Sequence, residues 1–156
     1  MPVNTRHAIE RFLARKRIAF IGLSRKPSDF SRHVFRAFVE RGYEVIPVNP
    51  KMTEVEGRRC YSRVGDISPK PEAAVVMTSP GASAQVMREC AEAGVEQVWL
   101  HRGAGKGAVS REAVEASRQA GMDAVAGECP FMFLCGQQFP HNVHRWIKKA
   151  TLTYPK

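Results

Sequence analysis

Four short stretches of this 156-residue chain carry groups able to hold an anion, and each follows an apolar run of strand length. The first is Gly22-Leu23-Ser24-Arg25-Lys26-Pro27, after residues 18–21. A glycine turn at the end of a buried strand opens a dinucleotide-type β-α-β unit, in which backbone N–H groups and a helix start face a phosphate. Against the G-x-G-x-x-G fingerprint Gly22 fits, while Ser24 and Pro27 stand where the later glycines belong. The following helix is expected to begin near Ser28 or Ser31, where Arg25, Lys26, Arg32 and His33 crowd together. A solvated turn accounts for any one of them, but four beside a glycine turn point to phosphate binding.

The second stretch is Asn49-Pro50-Lys51, after residues 44–48. At this tip an NAD-binding unit carries an acidic residue for the ribose hydroxyls. Here nothing repels an anion and Lys51 attracts one, so the expectation is a nucleotide whose charge lies elsewhere than in NAD. The third stretch, Thr78-Ser79-Pro80-Gly81, runs straight into a helix. Hydroxyls and proline there are ordinary capping chemistry, and they equally supply donors to a crevice. The fourth, His101-Arg102-Gly103-Ala104-Gly105-Lys106-Gly107, has the texture of a P-loop and fails its test. Leu100 stands where the first glycine belongs, and Gly107 where Ser or Thr must hold magnesium. It is read as a loop at the crevice mouth, with His101, Arg102 and Gly103 as ligand contacts.

Catalytic arrangements are thin. His141 and His144 lie three apart on an expected helix, and Cys129 or Cys135 could add sulfur, but the spacing matches no zinc pattern. Glu128-Cys129-Pro130 follows the fifth strand without a histidine neighbour, so a buried apolar cysteine is the simpler account. The reading is therefore a binding site, with no catalytic residue and no metal.

The elements that must position these groups alternate between strand-length apolar runs and amphipathic helices, which predicts an α/β, doubly wound, mainly parallel five-stranded sheet with helices on both faces. Strands are expected at 18–22, 44–48, 73–77, 97–100 and 122–126, and helices at 31–41, 82–93 and 110–120. Glycines 42, 94 and 121 stop the helices. Residues 51–71 form a long connection with a short helix near 63–66. Residues 1–16 read as an N-terminal helix, and 127–156 as an extension in which 129–134 are extended and 141–150 helical. The whole chain is read as one domain. In doubly wound sheets ligands lie beyond the carboxyl ends of the strands, which places all four stretches on one edge.

Composition sets the limits. A hydrophobic content of 44% and a charged content of 25% are those of a globular protein, and no apolar run approaches bilayer length. Four scattered cysteines without a C-x-x-C pair suit a reducing cytoplasm. The net charge of +9 calls for anionic partners without choosing among phosphate ligand, nucleic acid and acidic protein. Nucleic acid is disfavoured, because aromatics are not interleaved with the basic residues.

Gly22-Leu23-Ser24, Val45-Ile46-Pro47-Val48-Asn49-Pro50, Glu56-Gly57-Arg58-Arg59-Cys60-Tyr61, Trp99-Leu100 and Glu128-Cys129-Pro130 together resemble the small stand-alone CoA-binding proteins, related to the CoA-binding domain of the succinyl-CoA synthetase alpha subunit. The resemblance implies a Rossmann-like sheet with coenzyme A across the strand ends. It places Gly22, Leu23 and Ser24 by the pyrophosphate, Asn49, Pro50 and Lys51 by the adenine-ribose phosphate, and Thr78, Ser79 and Pro80 along the nucleotide crevice. At His101 and Arg102 the chain departs from relatives that carry an uncharged polar residue. The implied role is binding of CoA or acyl-CoA without ligase chemistry, leaving a homodimer or an enzyme partner open. Two other readings compete: an NADP-dependent oxidoreductase-like protein, and a basic module for RNA or an acidic protein.

Overall fold

A computed structural model of the chain describes residues 4–102 and 107–134. In chain order the elements are α1 (Arg6–Leu13), β1 (Arg17–Ile21), α2 (Phe30–Glu40), β2 (Glu44–Val48), β3 (Glu54–Val55), β4 (Arg58–Arg59), β5 (Ala73–Val76), α3 (Pro80–Glu92), β6 (Gln97–His101), α4 (Arg111–Gln119) and β7 (Asp123–Glu128), with 3-10 turns at Val64–Asp66 and Pro130–Met132. Every residue of β5 is buried, which a strand of small and β-branched side chains tolerates at the centre of a parallel sheet covered on both faces. The sheet order is β2-β1-β5-β6-β7, all neighbours parallel.

Alternation along the strands sorts the core into two layers. Phe20 and Trp99 face α1 and α2, packing with Phe12 and Phe35; Ala19, Ile21 and Leu100 face α3 and α4, packing with Met87 and Ala113. Phe12 meets Trp99 edge-on at 5.2 Å, and the Trp99 indole N–H donates to the Glu128 carbonyl at 2.9 Å. The chain winds one way from β1 to β2 and the other way from β5 onward, so the switch point falls between β1 and β5.

The α/β sheet expected from the sequence is the one observed, with its strand and helix ends moved by one or two residues, while the N-terminal helix expected over 1–16 spans Arg6–Leu13. β6 reaches His101 and β7 reaches Glu128, because these two pair across a register shift that Gly127 permits at φ +89°. Within the long connection lies a hairpin that hydrophobic periodicity cannot reveal, since its strands are two residues each. Its turn is Glu56-Gly57, both left-handed at φ +49° and +76°, the primed geometry that matches strand twist. Residues 129–134 are not the extended segment expected: Cys129 is extended, but Pro130 sets the backbone for a single 3-10 turn. The expected helix at 141–150 lies outside the described residues, with Cys135, His141 and His144. Among the described residues no helix is long and apolar enough to cross a membrane.

Candidate functional site

The tip of β1 is bound into its neighbours through backbone. Gly22 N–H donates to Val48 O at 3.4 Å, and Met77 N–H donates to Ile21 O at 2.8 Å. Gly22 sits at φ +90°, and a Cβ there would lie 2.7 Å from Met77 C and Thr78 N. Only glycine fits this crossing of β1 and β5, because the backbone of Met77 and Thr78 occupies the place a side chain would take.

Helix α2 begins at Phe30, between the expected Ser28 and Ser31. Asp29 caps it, its carboxylate accepting from Ser31 N–H at 2.9 Å and Ser31 Oγ at 2.6 Å. The hydrogen bonds from the Ser31 side chain and backbone hold the Asp29 carboxyl below its ordinary range. A resident carboxylate therefore fills the place where sequence reasoning put a phosphate. Ser31 Oγ in turn accepts from Ser24 N–H at 3.0 Å, fastening the turn after β1 to the helix.

The four basic residues of this region divide. Arg32 is buried, with Nε and Nη2 donating to Glu56 Oε1 at 3.1 and 3.0 Å and Nη1 to Ser24 O at 3.1 Å. Its charge is used in tying α2 to the hairpin and to the β1 turn. Arg36 donates to the same Glu56 oxygen at 2.9 Å. Arg25, Lys26 and His33 are exposed, and neither Arg25 nor Lys26 enters an ion pair among the described residues.

Asn49 bridges the tips of β1 and β2. Its Nδ2 donates to Leu23 O at 2.7 Å, and its Oδ1 accepts from Lys51 N–H at 2.8 Å. The amide needs both a donor and an acceptor here, which a carboxylate would not supply. Leu23 is buried and Lys51 exposed. At the third tip Ser83 Oγ donates to Ser79 O at 2.9 Å and so accepts from Thr78 Oγ1, also 2.9 Å away. Ser79 caps α3 without a side-chain hydrogen bond and Pro80 holds its first position, so the Gly81 N–H has no side-chain cap, where the corresponding Ser31 N–H of α2 is taken by Asp29.

Between these tips lies a cleft of about 360 Å³, lined on the α3 side by Ile21, Val48 and Val86, at the crest by Gly22 and Thr78, and at the rim by Asn49, Pro50, Ser62, Arg63 and Glu89. The size falls within the usual range of about 300–1,000 Å³ for small-molecule sites. An apolar slot with one guanidinium and one carboxylate, neither in an ion pair among the described residues, suits a nucleoside bearing a phosphate. Sequence reasoning missed Ser62, Arg63, Val86 and Glu89. Arg63 projects from the loop after the hairpin and Glu89 from the third turn of α3, where only tertiary packing brings them to the strand tips.

His101 lies elsewhere, at the tip of β6 on the α2 face two residues beyond Trp99. Arg102 N–H donates to Glu128 O at 3.2 Å, and the Arg102 side chain is exposed. Gly103 lies outside the described residues. Of the expected residues, Gly22, Asn49, Pro50 and Thr78 line the cleft, Leu23 is buried in the core layer that packs on α2, Ser24 is tied to Ser31 and Arg32, and His101 occupies a separate corner.

An open doubly wound sheet with its crevice and cations at the strand ends is the architecture of a nucleotide-binding domain. The chain belongs to the CoA binding domain family, whose profile residues 16–134 match. It is 31% identical over 114 residues to the protein YneT of Bacillus subtilis, covering 73% of this chain and 82% of that one. It is 30% identical over 129 residues to the alpha subunit of ADP-forming acetate–CoA ligase II of Pyrococcus furiosus, covering 78% of this chain but only 28% of the ligase subunit. Among solved structures, a protein of Pyrococcus horikoshii superposes with a TM-score of 0.75 at 32% identity, covering 83% of this chain and 91% of the other.

Proposed function

We propose that the chain binds coenzyme A or an acyl-CoA at the carboxyl ends of β1, β2 and β5, without catalysing a reaction of its own. The observation that carries this reading is the cleft at the switch point, apolar within and with Arg63 at its rim; Arg25, Lys26 and Lys51 stand exposed on the turns after β1 and β2, and none of the four enters an ion pair among the described residues. The nucleoside fills the slot of Ile21, Val48 and Val86, and Glu89 accepts a hydrogen bond from the base amino group or a ribose hydroxyl. The pyrophosphate crosses the crest at Gly22 beside the start of α3, within reach of Arg25 and Lys26. The 3′-phosphate lies between Lys51 and Arg63. An acidic residue at the tip of β2 would repel that group, and Asn49 stands there instead.

The chain spans little more than a quarter of the ligase subunit it matches. The buried thiols Cys60 and Cys90 suit work in the cytoplasm. A thermal-shift titration tests the reading. CoA is expected to raise the melting temperature more than NADP or NAD, with 3′-dephospho-CoA weaker than CoA. Arg63→Gln and Lys51→Glu are expected to weaken CoA much more than dephospho-CoA. Protection by NADP and not by CoA overturns the assignment in favour of an oxidoreductase. Salt-sensitive retention of RNA with no nucleotide effect overturns it in favour of a basic interaction module.

A further inference from the structure

One buried polar atom of the sheet has no role in the cleft. His101, 8% exposed, has its Nε2 shut from solvent with no hydrogen-bond partner among the described residues. A buried ring nitrogen without a partner is destabilising, and native proteins keep such groups where something else will meet them. Burial pushes the imidazole down to about 4, so the ring is neutral at pH 7 and offers one N–H and one lone pair.

Its surroundings are those of an apolar subsite. The ring of Phe30 lies 5.6 Å from that of His101, and Phe131 lies 5.9 Å from Phe30. Phe30, at 40% exposed, is the large apolar side chain that the described residues leave in solvent. It opens α2 directly after Asp29, whose capping of the helix holds it beside the strand tips. The Phe30 ring, packed against a buried neutral imidazole, is placed to act as its cover.

The place also fits the ligand's length. β1, β5 and β6 are successive neighbours, so the tip of β6 is about 10 Å from that of β1 at ordinary strand spacing. A ligand whose pyrophosphate crosses the crest at Gly22 passes from the α3 face to the α2 face, where His101 and Phe30 stand. The pantetheine arm is longer than that distance, so its sulfur end can reach this corner.

We infer that Phe30, His101 and Phe131 form an acyl subsite, in which the turning aside of Phe30 lets His101 Nε2–H donate to the carbonyl oxygen of a short-chain thioester while the phenyl rings cover its alkyl chain. This rests on the coenzyme A reading and adds a preference to it: the thioester binds more tightly than the free thiol. A thioester carbonyl accepts a hydrogen bond where a thiol accepts only weakly, and the alkyl chain covers apolar surface that a bare thiol leaves wet.

Isothermal titration of the whole chain with CoA, acetyl-CoA and butyryl-CoA tests it, using wild type, His101→Leu and Phe30→Ala. Wild type is expected to bind acetyl-CoA about tenfold more tightly than CoA, the worth of one hydrogen bond to a buried donor, and butyryl-CoA more tightly still. His101→Leu should remove the acetyl preference while leaving CoA affinity and folding intact, and Phe30→Ala should remove the extra gain from butyryl. In nitrogen-detected NMR of the wild-type imidazole, Nε2 should shift with acetyl-CoA and not with CoA, a readout that needs no variant. Equal affinity for CoA and acetyl-CoA, or a preference that survives in His101→Leu, overturns the subsite and leaves coenzyme binding standing. Absence of any CoA binding to wild type overturns both.

Discussion

Replacing Glu56 by Gln removes one charge and little volume from a junction that joins three parts of the site. Glu56 Oε1 accepts three hydrogen bonds, two from Arg32 and one from Arg36, at 2.9–3.1 Å. The Arg32 side chain is 7% exposed and that of Glu56 26%. Breaking a buried ion pair outright costs about 3–5 kcal/mol because a charge is left without its partner. Glutamine keeps the carbonyl oxygen as acceptor, and neutral acceptors are roughly half as strong as ionised ones, so Glu56→Gln should cost about 2 kcal/mol. In a chain of this size that lowers the melting temperature by about 4–8 °C.

The cost should depend on pH in a defined direction. Burial raises the Glu56 carboxyl, but the hydrogen bonds and charges of Arg36 and Arg32 outweigh it and hold the folded group below its ordinary 4.5. A carboxylate depressed by folding contributes its full stability above the unfolded value and loses it as pH falls through the folded value. Urea denaturation at pH 7 should therefore separate wild type from Glu56→Gln, and the gap should close in acid as wild-type Glu56 takes up its proton. Equal midpoints at pH 7, or a gap unchanged through the acid range, would refute the assignment of Glu56 as the charge that fixes the hairpin to α2.

Two further substitutions test the crest. Gly22→Ala places a methyl 2.7 Å from the backbone of Met77 and Thr78 at a φ of +90°, and should cost about 3 kcal/mol and abolish protection by CoA. A urea midpoint equal to wild type would show that β1 and β5 do not approach so closely. Asn49→Asp should cost about 2 kcal/mol by turning the Nδ2 donor into a carboxylate facing Leu23 O, and should also weaken CoA relative to dephospho-CoA. Melts with and without CoA separate the two effects, and unchanged stability on Asn49→Asp would remove Asn49 as the tie between the strand tips.

What could be read along the chain was what repeats along it. The run 73–76 is apolar throughout and could only be a strand buried on both faces, and Gly42, Gly94 and Gly121 closed helices two residues after their last turn. Gly22 and the absence of an acid after Val48 marked the strand tips, because winding order alone puts ligands there. Where the reading went astray, a local pattern had been taken for an outward-facing one. Arg32 stands in the basic cluster by sequence, yet helical geometry turns it inward to Glu56, twenty-four residues away.

The amino-acid order by itself determined the sheet, its parallel sense and the edge at which the strand tips gather, since hydrophobic period and glycine placement are local properties. Only the tertiary structure decided which charges line the cleft at that edge. Arg63 and Glu89 come to the cleft from a loop and a helix with no periodic signal to announce them, while Asp29 and Glu56 neutralise sites that looked open. Whether a charged side chain serves a ligand or the fold depends on the partner within a few ångströms, and that partner is chosen by packing.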